Sequence, residues 1–246
     1  MKILASDYDG TLSFGGFDAD KREAIARWRA AGNLFGLVSG RSADGLWDLA
    51  ARDGFDFDYM IGNNGAVVLD RQKRILFDAR CDGRLALPLV RALFEWDCPI
   101  AVLHNQNTFT LRPTEEACGE SELTIDRLPP VPWFYQITTF LSSEREAQEI
   151  ASRIRGRFGS RLNPLPNGTC VDCVGAGVNK AQGIYRLIEA LGADEKDVIT
   201  VGDQMNDADM ISAFRSYAMA NGAEAIRNMA DAVTPGVPEL IRRELE

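Results

Sequence analysis

Apolar residues in this chain gather in short runs separated by amphipathic stretches. Lys2 to Ser6 is one such run, ending at acids, and Leu34 to Val38 and Tyr59 to Ile61 are two more. Runs of this length bounded by turn residues read as buried parallel strands. Between them, Asp20 to Ala31 sets Ala24, Ile25 and Trp28 at helical spacing and stops at Gly32, and residues 43–52 read as a second helix. The alternation of strand and helix predicts a parallel sheet with helices on both faces.

The alternation then breaks. Ala66 to Leu69 and Arg74 to Phe77 flank a polar turn and read as a hairpin. From about Cys81 to Thr169 the pattern is less regular. Helices are expected near 85–96 and 143–157, strands near 100–104 and 133–140, with Pro129, Pro130 and Pro132 punctuating the middle. Alternation resumes with a helix from Asn179 to Leu191, a strand from Asp197 to Val201, a helix near 206–214 and a strand from Tyr217 to Ala220. A helix from about Ala223 to Ala230 follows, and a terminal helix is expected from Pro238, a residue suited to a first turn. The predicted architecture is α/β. Residues 1–80 and 171–246 form a Rossmann-like doubly wound parallel sheet core, and residues 81–170 form an inserted α+β module.

Composition changes this picture little. Of 246 residues, 46% are apolar and 26% charged, which suits a globular chain with a real core. No apolar run approaches the ~18 residues of a membrane span. Asp7 interrupts the first run before a signal-peptide core could form, and the five cysteines are an odd number without framework spacing. Reduced thiols in a cytoplasm are therefore expected. Cys170 and Cys173 have CxxC spacing but no second pair, and on a strand they point to opposite faces, so zinc is not expected. Lys plus Arg number 27 against 36 Asp plus Glu, a net charge of −9. Such a chain offers no general attraction to nucleic acid or an anionic membrane, and an anionic substrate would need local cations or a metal.

Two acid clusters carry candidate chemistry. Asp7-Tyr8-Asp9-Gly-Thr-Leu follows the first strand, and Gly-Asp203-Gln-Met-Asn206-Asp207 follows another. In open α/β sheets ligands bind beyond the carboxyl ends of strands. Close carboxylates repel and favour a shared cation or a held proton, and hard oxygens of this kind suit Mg²⁺. Turn and helix-cap composition accounts for either cluster alone, but less readily for both. Ser39-Gly40 lies between a strand and a helix, where a hydroxyl and free amides can hold an anion. Lys180 follows Asn179, a helix-capping residue, so its charge opposes the helix dipole. It either pairs with an anion or is a solvated surface lysine.

Together these residues resemble the haloacid dehalogenase superfamily of phosphohydrolases. The resemblance rests on four ordered motifs: Asp7-x-Asp9-Gly-Thr-Leu, Ser39 in Leu-Val-Ser-Gly-Arg, Lys180 in Gly-Val-Asn-Lys, and Gly-Asp203-x-x-Asn206-Asp207. Gly62-Asn-Asn-Gly-Ala66 and Ala218-Met-Ala-Asn-Gly-Ala223 are similar to the Cof-type subfamily, whose C2-type cap is inserted where the irregular segment lies. The resemblance implies a Mg²⁺-dependent phosphatase acting on a small phosphorylated metabolite. It implies Asp7 as nucleophile and Asp9 as general acid and base. Asp7, the Asp9 carbonyl, Asp203 and Asp207 would serve the metal. The Tyr8 and Gly40 amides, Ser39, Lys180 and Asn206 would hold phosphate. The cap would choose the leaving group and close over it. A phosphomutase of the same superfamily and a non-catalytic sugar-phosphate-binding module are the alternatives.

Other residues attract less weight. His104, the only histidine, has no catalytic task left to fill. Trp133-Phe134-Tyr135 reads as strand core, Arg153, Arg155 and Arg157 as a solvated helix face, and Arg41 as a cap on its own turn.

Overall fold

The computed structural model describes residues 1–246, which divide into two compact units, Met1–Asp78 with Asn179–Glu246, and Ala79–Val178. The first unit opens with β1 (Ile3–Ser6), α1 (Ala19–Ala30), β2 (Leu34–Val38), α2 (Ala43–Asp53), β3 (Tyr59–Gly62), β4 (Val67–Asp70) and β5 (Ile75–Asp78). The inserted unit holds β6 (Cys81–Asp82), α3 (Ala86–Glu95), β7 (Ala101–His104), β8 (Thr108–Leu111), β9 (Trp133–Phe134), β10 (Gln136–Phe140), α4 (Glu144–Phe158), β11 (Leu162–Asn167) and β12 (Cys170–Gly175). The first unit is completed by α5 (Lys180–Leu191), β13 (Val198–Gly202), α6 (Ala208–Ala213), β14 (Arg215–Met219), α7 (Glu224–Met229), β15 (Ala232–Thr234) and α8 (Val237–Leu245).

The first unit is built on one eight-stranded sheet, ordered β15-β14-β13-β1-β2-β3-β4-β5. Its strands are parallel from β15 to β3, and β4 and β5 return as the expected antiparallel hairpin. Successive side chains of β1 point to opposite faces. Leu4 joins Trp28, Leu46 and Leu240 of α1, α2 and α8, whereas Ile3 and Ala5 join Ile184, Met210 and Ile226 of α5, α6 and α7. Both faces are thus covered, which is why these strands read as continuous apolar runs. From β1 the chain winds outward through β2 and β3, and later restarts beside β1 at β13 and winds the other way. The strand order therefore reverses between β1 and β13, the position where such sheets open a crevice. Side-chain caps start the helices that face it. Ser42 accepts from the Gly45 amide and Asn179 from the Gln182 amide, each worth about 1 kcal/mol.

The inserted unit has an antiparallel sheet ordered β11-β12-β10-β7-β8 and a short pair, β6 with β9. One face of the larger sheet presents Ala101, Leu103, Ile137, Val171 and Cys173 to Leu89 and Leu93 of α3 and Ile150 and Ile154 of α4.

Three expectations are corrected. The inserted unit runs to Val178, not 170, because β12 pairs on both sides within that sheet, with β10 and with β11. It begins at Ala79 rather than 81. The single strand expected near 133–140 is two strands, since Trp133–Phe134 pairs with β6 and Gln136–Phe140 with β7 and β12. Strands β8, β11 and β15 carried no usable sequence signal. In β11, Pro164 and Pro166 argue against a strand, yet an edge position tolerates the missing donors.

Candidate active site

The turn after β1 has a specific shape. The Asp7 amide donates to the Val201 carbonyl at 2.9 Å, carrying the strand pairing one residue further. The chain then turns tightly over Tyr8–Leu12, with Gly10 at φ +76°. A side chain at Gly10 would be strained there and would also overlap the Asp203 carboxylate. Glycine is thus required by two independent constraints. Thr11 Oγ donates to Asp203 Oδ1 at 2.8 Å, and Asn221 Nδ2 donates to the Gly10 carbonyl at 3.0 Å.

Asp203 and Asp207 leave the end of β13. Asp207 Oδ2 accepts from the Asp203 amide at 2.9 Å and the Gln204 amide at 3.1 Å, which fixes the turn. Lys180 enters from the first residue of α5. Its side chain is wholly buried, and Nζ donates to Asp7 Oδ1 at 2.7 Å and to Asp207 Oδ1 at 2.5 Å. The unfavourable position of a cation at a helix N-terminus is offset by two carboxylates. A solvated surface lysine is excluded.

Carboxylate oxygens of Asp7, Asp203 and Asp207 lie within 4.8 Å of one another. Burial raises the Asp7 carboxyl well above the usual range, against the pull of Lys180 and with further push from Asp207 and Asp203. Asp203 is raised too, chiefly by burial, with the Thr11 hydroxyl working against the rise. For Lys180, burial opposes the charge, but Asp207 and Asp7 outweigh it and its pKa is raised. Three carboxylates facing one ammonium leave a buried excess of negative charge. Hard oxygen donors at this spacing fit a divalent cation such as Mg²⁺.

The other predicted residues are placed less tightly. Ser39 is buried at the end of β2, the strand beside β1, and its Oγ accepts from the Arg41 amide at 3.2 Å. Gly40 and Asn206 are half-buried, Asn206 on the turn between Asp203 and Asp207. The Tyr8 side chain points away, its hydroxyl donating to Asp53 Oδ2 at 2.6 Å, so only its amide is available to a ligand. Burial and the Asp53 carboxylate push the Tyr8 phenol up to about 12.

Asp9 stands apart from the three clustered acids. Its carboxylate is half-exposed and bound by both forks of Arg41, Nε to Oδ2 at 2.6 Å and Nη2 to Oδ1 at 2.7 Å. Arg41 is therefore more than the turn cap expected of it. Sequence reasoning also missed Thr11, although its place in Asp-Gly-Thr-Leu was a usable signal. His104 sits at the end of β7, its Nδ1 3.1 Å from Thr108 Oγ, and burial lowers its pKa to about 4.

An acidic cluster at the reversal point of a doubly wound sheet suits a divalent cation at the position where such sheets bind ligands. Residues 4–239 match a family model described as haloacid dehalogenase-like hydrolase, and the chain belongs to that family. The chain is 25% identical over 234 residues to a phosphoglycolate phosphatase of Natronomonas pharaonis, covering 94% of this chain and 90% of that protein. It is 23% identical over 239 residues to 5-amino-6-(5-phospho-D-ribitylamino)uracil phosphatase YbjI of Escherichia coli K12, covering 92% and 88%. The fold is similar to that of the HAD subclass IIB sugar phosphatase BT4131, with a TM-score of 0.80 at 21% identity over 99% of both chains.

Proposed function

We propose that this hydrolase is a Mg²⁺-dependent phosphatase that cleaves a small phosphomonoester, a sugar phosphate or similar metabolite, through an aspartyl-phosphate on Asp7. The observation that carries the reading is the cluster of Asp7, Asp203 and Asp207 carboxylates within 4.8 Å of one another, with the buried Lys180 ammonium bridging Asp7 and Asp207. Two relatives matched over most of their length are named phosphatases, which supports the reaction class.

Mg²⁺ held by the Asp7 and Asp203 carboxylates and the Asp9 carbonyl, with Asp207 close by, would neutralise phosphate charge. The chain supplies the rest. Lys180 holds Asp7 Oδ1, leaving the second oxygen to attack phosphorus, and Ser39, Asn206 and the Tyr8 and Gly40 amides hold the phosphate oxygens. As the new O–P bond forms, the bond to the leaving oxygen breaks and that oxygen takes a proton from Asp9. Asp9 then accepts a proton from the water that attacks the aspartyl-phosphate, which releases inorganic phosphate and restores Asp7. Splitting the hydrolysis in two lowers each barrier, while fixed charges do most of the stabilising.

The inserted unit, on this reading, chooses the leaving group. No helix is long and apolar enough to cross a membrane, and five unpaired cysteines suit a cytoplasmic setting. Phosphate release from an aryl phosphate and a panel of sugar phosphates, with and without Mg²⁺, tests the proposal. A phosphomutase would return the phosphate to an organic product, and a binding module would release none.

A further inference from the structure

The chain passes from β3 to β4 through a tight turn, Asn63-Asn64-Gly65, to which the proposed mechanism gives no task. Its conformation is unusual. Asn63 and Asn64 stand in succession at φ +50° and +53°, a region that residues with a side chain enter rarely and asparagine most readily. Both are buried. The Asn63 Nδ2 amine is buried without a hydrogen-bond partner, an arrangement that native packing usually avoids. Bonding by that amine does not account for the residue, whereas the backbone that asparagine permits does.

That backbone holds the segment after β2. The Asn63 amide donates to the Arg41 carbonyl at 2.8 Å and the Asn64 amide to the Ser39 carbonyl at 2.9 Å, while the Ser39 amide donates to the Ile61 carbonyl at 2.9 Å. Helical dihedrals of either hand point successive amides the same way, and extended ones point them to opposite sides. Two left-handed residues in a row are therefore what let neighbouring amides reach Arg41 and Ser39 together.

The same turn lies against the start of α5. A Cβ on Gly65, which has φ +100°, would collide with the Asn179 carbonyl, and one on Gly183 would collide with Gly65 and Ile61. Glycine at both positions permits this close approach beside Lys180, the first residue of α5. Three groups of the candidate site thus share one support. They are Ser39, Arg41 with its two bonds to Asp9, and Lys180 with its bonds to Asp7 and Asp207.

We propose that Asn63 and Asn64 are positioning residues: their left-handed backbone sets Ser39 for the phosphate and Arg41 for its hold on Asp9, and Gly65 seats the same turn against the helix that carries Lys180. The inference rests on the phosphatase reading and adds to it residues that act only through others.

Alanine and glycine variants at each position separate backbone from side chain, because both lose the asparagine amide and only glycine accepts a positive φ freely. With an aryl phosphate as substrate and saturating Mg²⁺, the Ki of inorganic phosphate should be about fivefold higher in Asn64→Ala than in Asn64→Gly. Asn63→Ala should fall about fivefold below Asn63→Gly in kcat for an alkyl phosphate, and much less for the aryl phosphate, whose leaving oxygen needs little help from Asp9. Lower melting temperatures in the alanine variants, with equal Ki and equal leaving-group dependence, would mark a purely structural turn and overturn the inference. The wild type supplies a second measurement that no folding defect can spoil. Inorganic phosphate should slow hydrogen exchange at the Asn63 and Asn64 amides by about twofold or more, together with residues 39–41. Protection confined to residues 39–41 overturns the inference as well. A wild type that neither releases phosphate from the aryl ester nor binds it fails the phosphatase reading, and the inference falls with it. An active wild type with matching alanine and glycine variants fails the inference alone.

Discussion

Arg41 grips Asp9 with two nitrogens of its guanidinium, across 32 residues of sequence, at 2.6 and 2.7 Å. The pair joins the turn after β1 to the turn after β2, and it holds the proposed proton carrier in one orientation. Both side chains are about half-exposed, so the pair adds little to stability. Its value lies in position. Asp9 must give up at least one of these bonds to reach a leaving oxygen, so the grip both aims and restrains it.

Arg41→Ala should therefore slow the hydrolysis of esters with poor leaving groups by about tenfold, because a misaimed acid transfers protons badly. An aryl phosphate, whose leaving oxygen needs little protonation, should be affected much less. Rates measured along a series of leaving groups check this. Equal losses across the series would show that Arg41 does not act through Asp9.

The two acids of the first motif should fail differently. In the proposed mechanism Asp7→Asn removes the attacking oxygen, so turnover and phosphoenzyme should both vanish. Asp9→Asn keeps the proposed nucleophile and loses the proposed proton carrier, typically a cost of ~10²–10⁴-fold. With an activated aryl phosphate the Asp9 variant should accumulate phosphate on the peptide containing Asp7, read by rapid-quench mass spectrometry. Phosphate found on Ser39 would reassign the nucleophile.

Lys180→Met leaves Asp7 and Asp207 buried without their shared cation. Breaking a buried pair on one side commonly costs about 3–5 kcal/mol. Chemical denaturation should show a loss of that order. Added Mg²⁺ should restore more stability to this variant than to the wild type, since a second cation can take over part of the compensation. Asp203→Ala should show the opposite pattern, with weaker Mg²⁺ binding and lower turnover together. Activity that survives exhaustive chelation would refute the metal assignment.

His104 gives the inserted unit an acid sensitivity. Burial lowers its pKa from 6.5 to about 4, so the unfolded chain takes up the proton first as pH falls. Stability contributed by the neutral ring is present above pH 6.5 and is lost between 6.5 and about 4, below which this contribution is flat. A shift of this size corresponds to at most about 3 kcal/mol, less for a ring that keeps some water. His104→Gln should flatten the stability profile in that window. An unchanged slope would mean that other groups set it.

Much of the candidate site is local and was legible in the sequence. Asp7, Asp9, Ser39, Asp203 and Asp207 each stand just past an apolar run, and a parallel strand buried on both faces leaves that run unmistakable. Alternation of such runs with amphipathic helices dictates the doubly wound sheet, and the irregular middle marks an insertion. What the sequence could not determine is who meets whom. Lys180 touches Asp7 across 173 residues and Arg41 meets Asp9 across 32, contacts that exist only once β1, β2 and β13 lie side by side. The same holds in the inserted unit. Strand β11 is hidden by its prolines and is recognisable only from its pairing with β12. Asp172 sits between two cysteines whose spacing gave no sign of its partner. Its hydrogen bond with Thr138 depends on the register that sets the two opposite each other, and a shift of one residue would turn it into the core. Side-chain periodicity is written along one strand, whereas register and strand order are properties of pairs, which the tertiary fold alone decides.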